Sequence, residues 1–253
     1  MGLFGNLFEK KYCSVCGGEI GLLGNRKLED GNLCKNCAAK LSPFFSERRH
    51  STVDAIKQQL AYREANREAV EKFHVTRSFG TDTKVLIDED AGKFMVTRAH
   101  NLKEANPDVL DFAQVTGCDL NIDEDADEEK RKDSEGNYVS YNPPRFTYRY
   151  DFEMIIRVNS PYFDTISFQL NSSGVETNPD APVPASQKPD PHNCQDYREM
   201  EAMGSEIKTI LMNARQQVRD KAAPKKAMQC PLCGATTTPD ERGCCEFCGG
   251  AIM

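Results

Sequence analysis

Eight of the chain's eleven cysteines fall into four Cys-x-x-Cys pairs: Cys13/Cys16, Cys34/Cys37, Cys230/Cys233 and Cys245/Cys248. Two pairs lie near each end, in tracts too short to fold on an apolar interior alone. A segment of about 40 residues needs a metal, a disulfide or a partner to stay ordered. The start, Met1-Gly2-Leu3-Phe4-Gly5-Asn6-Leu7-Phe8, lacks the basic head, long apolar stretch and small-residue cleavage site of a secretory signal. The expected location is therefore cytoplasmic, where paired cysteines read as metal ligands before disulfides. Zinc(II) takes four tetrahedral ligands, and each Cys-x-x-Cys offers two thiolates from one tight turn. Two structural Zn2+ per chain are expected, held by Cys13, Cys16, Cys34 and Cys37 and by Cys230, Cys233, Cys245 and Cys248.

In the first group Gly17 and Gly18 follow the leading pair, where the backbone bends sharply. Asp30-Gly31-Asn32 supplies a turn before Cys34, and the sequence after Cys37 suits a helix. A helix N-terminus under the second pair favours thiolates through its dipole. Knuckle, hairpin and helix together describe a treble-clef-like finger over residues 1–46. Redox dithiols are the competing reading. Two pairs 17 residues apart, without the β-α-β surroundings of a thioredoxin-like site, argue against it. Four cysteines also close the coordination shell, so the zinc is structural. The run Cys13-x-x-Cys16-Gly17, with Leu28-Glu29-Asp30-Gly31-Asn32-Leu33-Cys34-x-x-Cys37 and Leu41-Ser42, resembles the bacterial zinc-finger family catalogued as domain of unknown function 4428. That resemblance implies a small zinc-binding module and no particular activity.

Cys230-Pro-Leu-Cys233-Gly and Cys245-Glu-Phe-Cys248-Gly are near copies of one knuckle, with Pro239-Asp240 as a turn between short strands. This resembles a minimal zinc ribbon over residues 228–253. Cys244 breaks the two-residue spacing to Cys248 and is expected to be a spare thiol; Cys118 and Cys194 are unassigned.

Between the ends the sequence predicts a connector helix (47–72), a β domain (73–220) with a closing helix at 196–220, and a linker at 221–227. Ser51-Thr52-Val53-Asp54 has the form of a capping box, with Val53, Ile56 and Leu60 as a modest apolar stripe. Packing on a neighbour and a solvated connector are both compatible with that stripe. Strands are predicted at Val75–Phe79, Lys84–Asp88, Lys93–Thr97, Val109–Ile122, Arg145–Asn159 and Thr165–Leu170. Asp123–Asn137 reads as an acidic loop and Asn171–Cys194 as a Pro-rich excursion. The last helix carries Met200, Met203, Ile207, Ile210, Leu211 and Val218 on one stripe. The fold class is α+β. Its middle is an antiparallel barrel or sandwich capped by a C-terminal helix, the layout of a pleckstrin-homology-like domain.

Charge narrows the partners. Residues 1–50 carry +3 and residues 221–253 carry +1, leaving -11 for the middle of a chain whose net charge is -7. A polyanion binder concentrates Lys and Arg, so nucleic acid is disfavoured. His50, His74, His100 and His192 read as isolated, and no Gly-rich phosphate loop or Gly-x-Ser-x-Gly elbow occurs. Asp88-Glu89-Asp90 and Asp123–Glu129 lack the ordered ligand pattern of a calcium loop. The expectation is a zinc-binding protein without enzymatic activity, an adaptor for a still unidentified protein partner. Two alternatives are membrane-surface docking through Leu3, Phe4, Leu7 and Phe8, and thiol redox or zinc handling.

Overall fold

A computed structural model describes residues 10–178, 180–222, 227–240 and 243–252. The chain divides into two compact units, Met1–Arg215 and Gln216–Met253. The expected membrane anchor (Leu3, Phe4, Leu7, Phe8) and most of the expected linker lie outside the described residues.

The first unit opens with the finger. Strand β1 (Lys11–Tyr12) pairs with β2 (Glu19–Ile20), β3 (Arg26–Lys27) pairs with β4 (Asn32–Leu33), and helix α1 (Lys35–Ala38) follows. Ile20, Leu28, Leu33 and Leu41 pack with Cys13 and Cys37, and Ile56 from the next helix completes this small core. That helix, α2 (Val53–Lys72), follows a 3-10 turn at Glu47–His50. Its cap differs from the expected box. Thr52 Oγ1 accepts the Ala55 N–H at 3.2 Å, while the Ser51 hydroxyl donates back to the Glu47 carbonyl at 2.8 Å. The 3-10 turn has claimed Ser51. Asp54 stays in the first turn, and a second acid comes from the finger, where Asp30 Oδ1 accepts the Val53 N–H at 2.7 Å.

Helix α2 buries Ile56, Gln59, Arg63, Asn66 and Val70, a stripe at three- and four-residue spacing. Its ends are apolar and its middle is polar, because the middle meets a polar clamp. Arg63 donates from Nη1 to Asp108 Oδ1 at 2.7 Å, from Nε to the Lys40 carbonyl at 3.3 Å, and from Nη2 to the Asn106 carbonyl. Ser42 Oγ donates to the other Asp108 oxygen at 2.8 Å. Asn66 donates to the Pro107 carbonyl at 2.7 Å and accepts the Val109 N–H at 3.0 Å. Burial pushes the Asp108 carboxyl up, and Arg63 and Ser42 pull it back without offsetting the burial fully. Lys40 and Ser42 belong to the finger and Asn106–Val109 to the β region, so α2 joins the two from inside. It is a packed element, not a solvated connector.

Strands β5 (Arg77–Phe79), β6 (Lys84–Asp88) and β7 (Lys93–Thr97) form an antiparallel meander. A short helix α3 (Leu102–Ala105) ends at Asn106, which sits at φ 50, and β8 (Leu110–Asp111) then pairs with β7. Alternation divides this sheet between two cores. Val85, Ile87, Phe94, Val96 and Leu110 join the main cluster, whereas Leu86 and Met95 meet Val70 of α2 and Val109. Both faces are covered, which is why β6 and β7 read as apolar runs.

The second sheet is built on one long hairpin, β9 (Val115–Lys132) and β10 (Tyr138–Val158). The stretch expected as an acidic loop is therefore mostly strand. Asp123 to Glu129 pair residue by residue with Asp151 to Arg145, and the turn is confined to Asp133–Asn137, where Asp133 accepts the N–H groups of Glu135 and Asn137 at 2.9 Å. Cross-strand cations make the acidic strand tolerable: Arg149 lies 2.8 Å from Asp125 and 3.7 Å from Asp127. The other edge of β10 is shared by three short strands. β11 (Thr165–Gln169) covers Glu153–Arg157, β12 (Val175–Glu176) covers Arg149–Tyr150, and β13 (Val183–Pro184) covers Arg145–Phe146. The Pro-rich excursion thus supplies two edge strands, a position that tolerates Pro184.

Helix α4 (Gln195–Ala222) buries Tyr197, Ile207 and Leu211 in the main core, with Met200, Met203 and Ile210 partly buried beside them. Tyr197 meets the rings of Tyr150 and Phe152 edge-on, at centroid distances of 5.0 and 5.1 Å. The Val218 side chain lies outside the described residues. Beside the finger's two hairpins, the described strands of this unit make a four-stranded and a five-stranded sheet and no closed barrel. The barrel expectation is corrected: among the described residues no strand of the β5–β8 sheet pairs with a strand of the β9–β13 sheet, so the two sheets keep open edges. The class is α+β.

In the second unit, β14 (Met228–Gln229) pairs with β15 (Thr236–Thr237), and Cys244 bridges to Ala251. Cys230, Cys245 and Ile252 are its buried core. Among the described residues no helix is long and apolar enough to cross a membrane.

Candidate metal centres

The fold brings Cys13, Cys16, Cys34 and Cys37 together, with their sulfurs all within 4.8 Å of one another. The knuckle explains the first pair. The Cys13 N–H donates to the Gly18 carbonyl and the Gly17 N–H to the Cys13 carbonyl, both at 2.8 Å. Reversing the chain this tightly puts Gly17 at φ 73, a conformation that a side chain would strain. The second pair is held differently. Cys34 caps α1, its sulfur accepting the Cys37 N–H at 3.4 Å, so this pair sits at a helix start where negative charge is favoured.

In the second unit Cys230, Cys233, Cys245 and Cys248 also converge to within 4.8 Å. Here both pairs sit in knuckles. The Cys230 and Cys245 N–H groups each donate at 2.8 Å to the residue five positions on, and Gly234 and Gly249 take φ 72 and 71. Cys244 stays outside the group. Its N–H donates to Asp240 Oδ1 at 2.8 Å and its backbone bridges to Ala251, which turns the neighbouring Cys245 inward.

Sulfur separations test what these groups can hold. Cys16 and Cys34 lie 3.8 Å apart, Cys230 and Cys248 3.6 Å, and Cys233 and Cys245 3.7 Å. A disulfide needs about 2.05 Å. A tetrahedral ion with metal–sulfur bonds of about 2.3 Å sets its ligands about 3.8 Å apart. All eight cysteines are free thiols, these three separations match the second distance, and the other sulfurs lie within 4.8 Å, so each group fits one tetrahedral ion. Crowding four thiols also splits their acidities. Burial raises Cys13, but the N–H groups of Cys16, Cys34 and Val15 outweigh it and bring the thiol down to about 6. Burial and hydrogen bonds to the other three thiols push Cys37 up. The N–H of Cys233 leads in bringing Cys230 down to about 7.

The remaining polar groups do not converge in this way. Two histidines have acidic neighbours that spacing alone did not indicate: His74 lies 3.6 Å from Asp90, and His192 lies 3.0 Å from Asp190 and 3.5 Å from Glu201. Asp190 is the main reason the His192 imidazole is raised, and both histidines are solvent-exposed. Asp88 is buried and spends its oxygens on the N–H groups of His74 and Ala91, each at 2.9 Å. It is a turn anchor. Among the described residues the two cysteine groups are the sets of His, Cys, Asp and Glu placed to hold a metal. The polar clamp of Arg63, Asn66 and Asp108 was not found from sequence. Its only sequence trace is that Gln59, Arg63 and Asn66 continue the spacing begun by Ile56.

No curated protein and no solved structure matches the chain. Residues 11–59, which hold the first cysteine group and reach into α2, match the family model described as Domain of unknown function (DUF4428).

Proposed function

We propose that this is a zinc-binding interaction protein without catalytic activity of its own. It holds two structural zinc ions and docks a protein partner. The observation that carries the reading is the sulfur spacing. Four thiolates gathered within 4.8 Å of one another suffice to fill every ligand position of a tetrahedral ion, and Lewis-acid zinc chemistry needs an open one. The metal supplies folding energy, replacing the apolar interior that these small modules lack. The acidic body supports a basic partner, since complementary charge steers association. Strands closed by one long helix follow the order of a pleckstrin-homology-like domain, and with no closed barrel the likeness is one of element order. Elemental analysis with native mass spectrometry tests the metal, with two zinc ions per chain expected. Affinity capture with the full zinc-loaded chain tests the adaptor role, which is abandoned if no protein is retained in a salt-sensitive manner. The exposure of Cys16, Cys233 and Cys248 favours a second reading, zinc handling. Fast transfer of either zinc to a chromogenic chelator, without unfolding, would support it.

A further inference from the structure

The finger presents two leucines to solvent. Leu22 and Leu23 are 86% and 91% exposed, at the centre of a turn closed by the Gly24 N–H on the Gly21 carbonyl at 2.9 Å. An exposed leucine alone is ordinary. This turn is tied down, however. Arg26 donates to the Leu23 and Asn25 carbonyls at 3.3 and 3.4 Å, and the Asn25 amide reaches Asn32 at 2.9 Å. Hydrogen bonds are spent on holding an apolar tip outward.

The surroundings of the tip are cationic. Lys11 lies cross-strand from Ile20, the residue before the turn, and Arg26 and Lys27 follow it. Arg48 donates to the Lys27 carbonyl at 2.6 Å, which brings Arg48 to the same side, with Arg49 next to it in the 3-10 turn. Burial lowers the Arg48 guanidinium, and so do the like charges of Arg49 and Arg26. Among the described residues none of Lys11, Arg26, Lys27, Arg48 and Arg49 makes an ion pair. Two of the nearby acids are committed elsewhere. Glu19 pairs with Lys10 at 3.2 Å and Asp30 caps α2, while the exposed Glu29 and Glu47 carboxylates form no ion pair with these cations.

We propose that this tip is a membrane-contact site, with Leu22 and Leu23 entering the interfacial layer of an anionic bilayer and the unpaired cations resting on its headgroups. The tip is convex, so it needs no complementary pocket. Protein-interface hot spots favour Trp, Tyr and Arg over Leu, and single-stranded nucleic acid is gripped by aromatic platforms, which Leu22 and Leu23 do not offer. Cations beside an anionic leaflet each contribute about fivefold in partitioning, and an apolar wedge adds to that. The proposal calls on none of Leu3, Phe4, Leu7 and Phe8, and does not depend on the adaptor reading.

The chain contains no tryptophan, which gives a direct test. In the zinc-loaded full chain, Leu23→Trp is expected to blue-shift and to be quenched by brominated lipid when phosphatidylcholine/phosphatidylglycerol vesicles are added, and much less with phosphatidylcholine alone. Flotation of Leu22→Ser/Leu23→Ser should fall at least tenfold while its zinc content stays at two per chain. Lys27→Ser/Arg49→Ser should lose the dependence on phosphatidylglycerol. An unshifted tryptophan, equal flotation of the leucine variant, or a tip that retains a protein or nucleic acid but no vesicle overturns the proposal.

Discussion

Replacing Arg63 by Met tests whether α2 is a structural axis or a passive link. Its side chain is 7% exposed and that of Asp108 is 0% exposed, at 2.7 Å from each other. Removing one member of a buried ion pair leaves the other charge without its counterion, which costs about 3–5 kcal/mol. The carbonyls of Lys40 and Asn106 lose a donor as well, at about 1–3 kcal/mol each if water cannot reach them. These terms overlap, so we expect about 4 kcal/mol in all. Urea denaturation followed by circular dichroism measures it through the midpoint at unchanged slope. The discriminating variant is Arg63→Met/Asp108→Leu. Removing both charges discards the desolvation penalty with the attraction, so the double variant should recover most of the loss. A cost for Arg63→Met below about 1 kcal/mol would refute the clamp, since that is the range of a surface pair. A double variant as unstable as the single would refute the argument from unpaired charge.

Cys13→Ser or Cys34→Ser should remove one zinc equivalent and also lower the stability of the β region, because Lys40 and Ser42 hang on the first centre and hold Arg63 and Asp108; native mass and a melting curve show both effects. Cys230→Ser should remove the other equivalent and leave that melt unchanged, since the ribbon is a unit of its own. Gly80→Ala should cost about 3 kcal/mol by thermal unfolding: Gly80 sits at φ 86 and a Cβ there would run into the Thr83 carbonyl oxygen. Burial, with help from the Asp119 charge, pushes the Cys118 thiol up to about 12. The unfolded thiol ionises near pH 9, so stability from this group should be full below about pH 9 and decline as pH rises toward about 12. Native iodoacetamide labelling at neutral pH should accordingly reach half-buried Cys194 well before buried Cys118.

The metal centres were legible because coordination chemistry acts over short sequence distances. A Cys-x-x-Cys followed by Gly specifies its own knuckle, and two such pairs need only one ion to find each other. The strands at Lys84–Asp88 and Lys93–Thr97 were equally readable, since turn residues bound both runs. The reading failed where a side chain's role depends on something distant. Asp123 to Glu129 look like solvated loop until β10 supplies Arg149 and a continuous edge. Ser51 looks like a cap until the 3-10 turn takes its hydroxyl.

Local chemistry therefore fixed what the chain can bind. Eight thiolates, in three glycine-closed knuckles and one helix start, suit two closed four-sulfur sites whatever lies between them. Tertiary structure alone decided that α2 ties the first site to the sheets through a buried polar clamp. Arg63, Asn66 and Asp108 are polar and 45 positions separate Arg63 from Asp108, so no hydrophobic period announces their burial. A buried charge is tolerable only once its partner is in place, and the partner's position is a property of the folded chain.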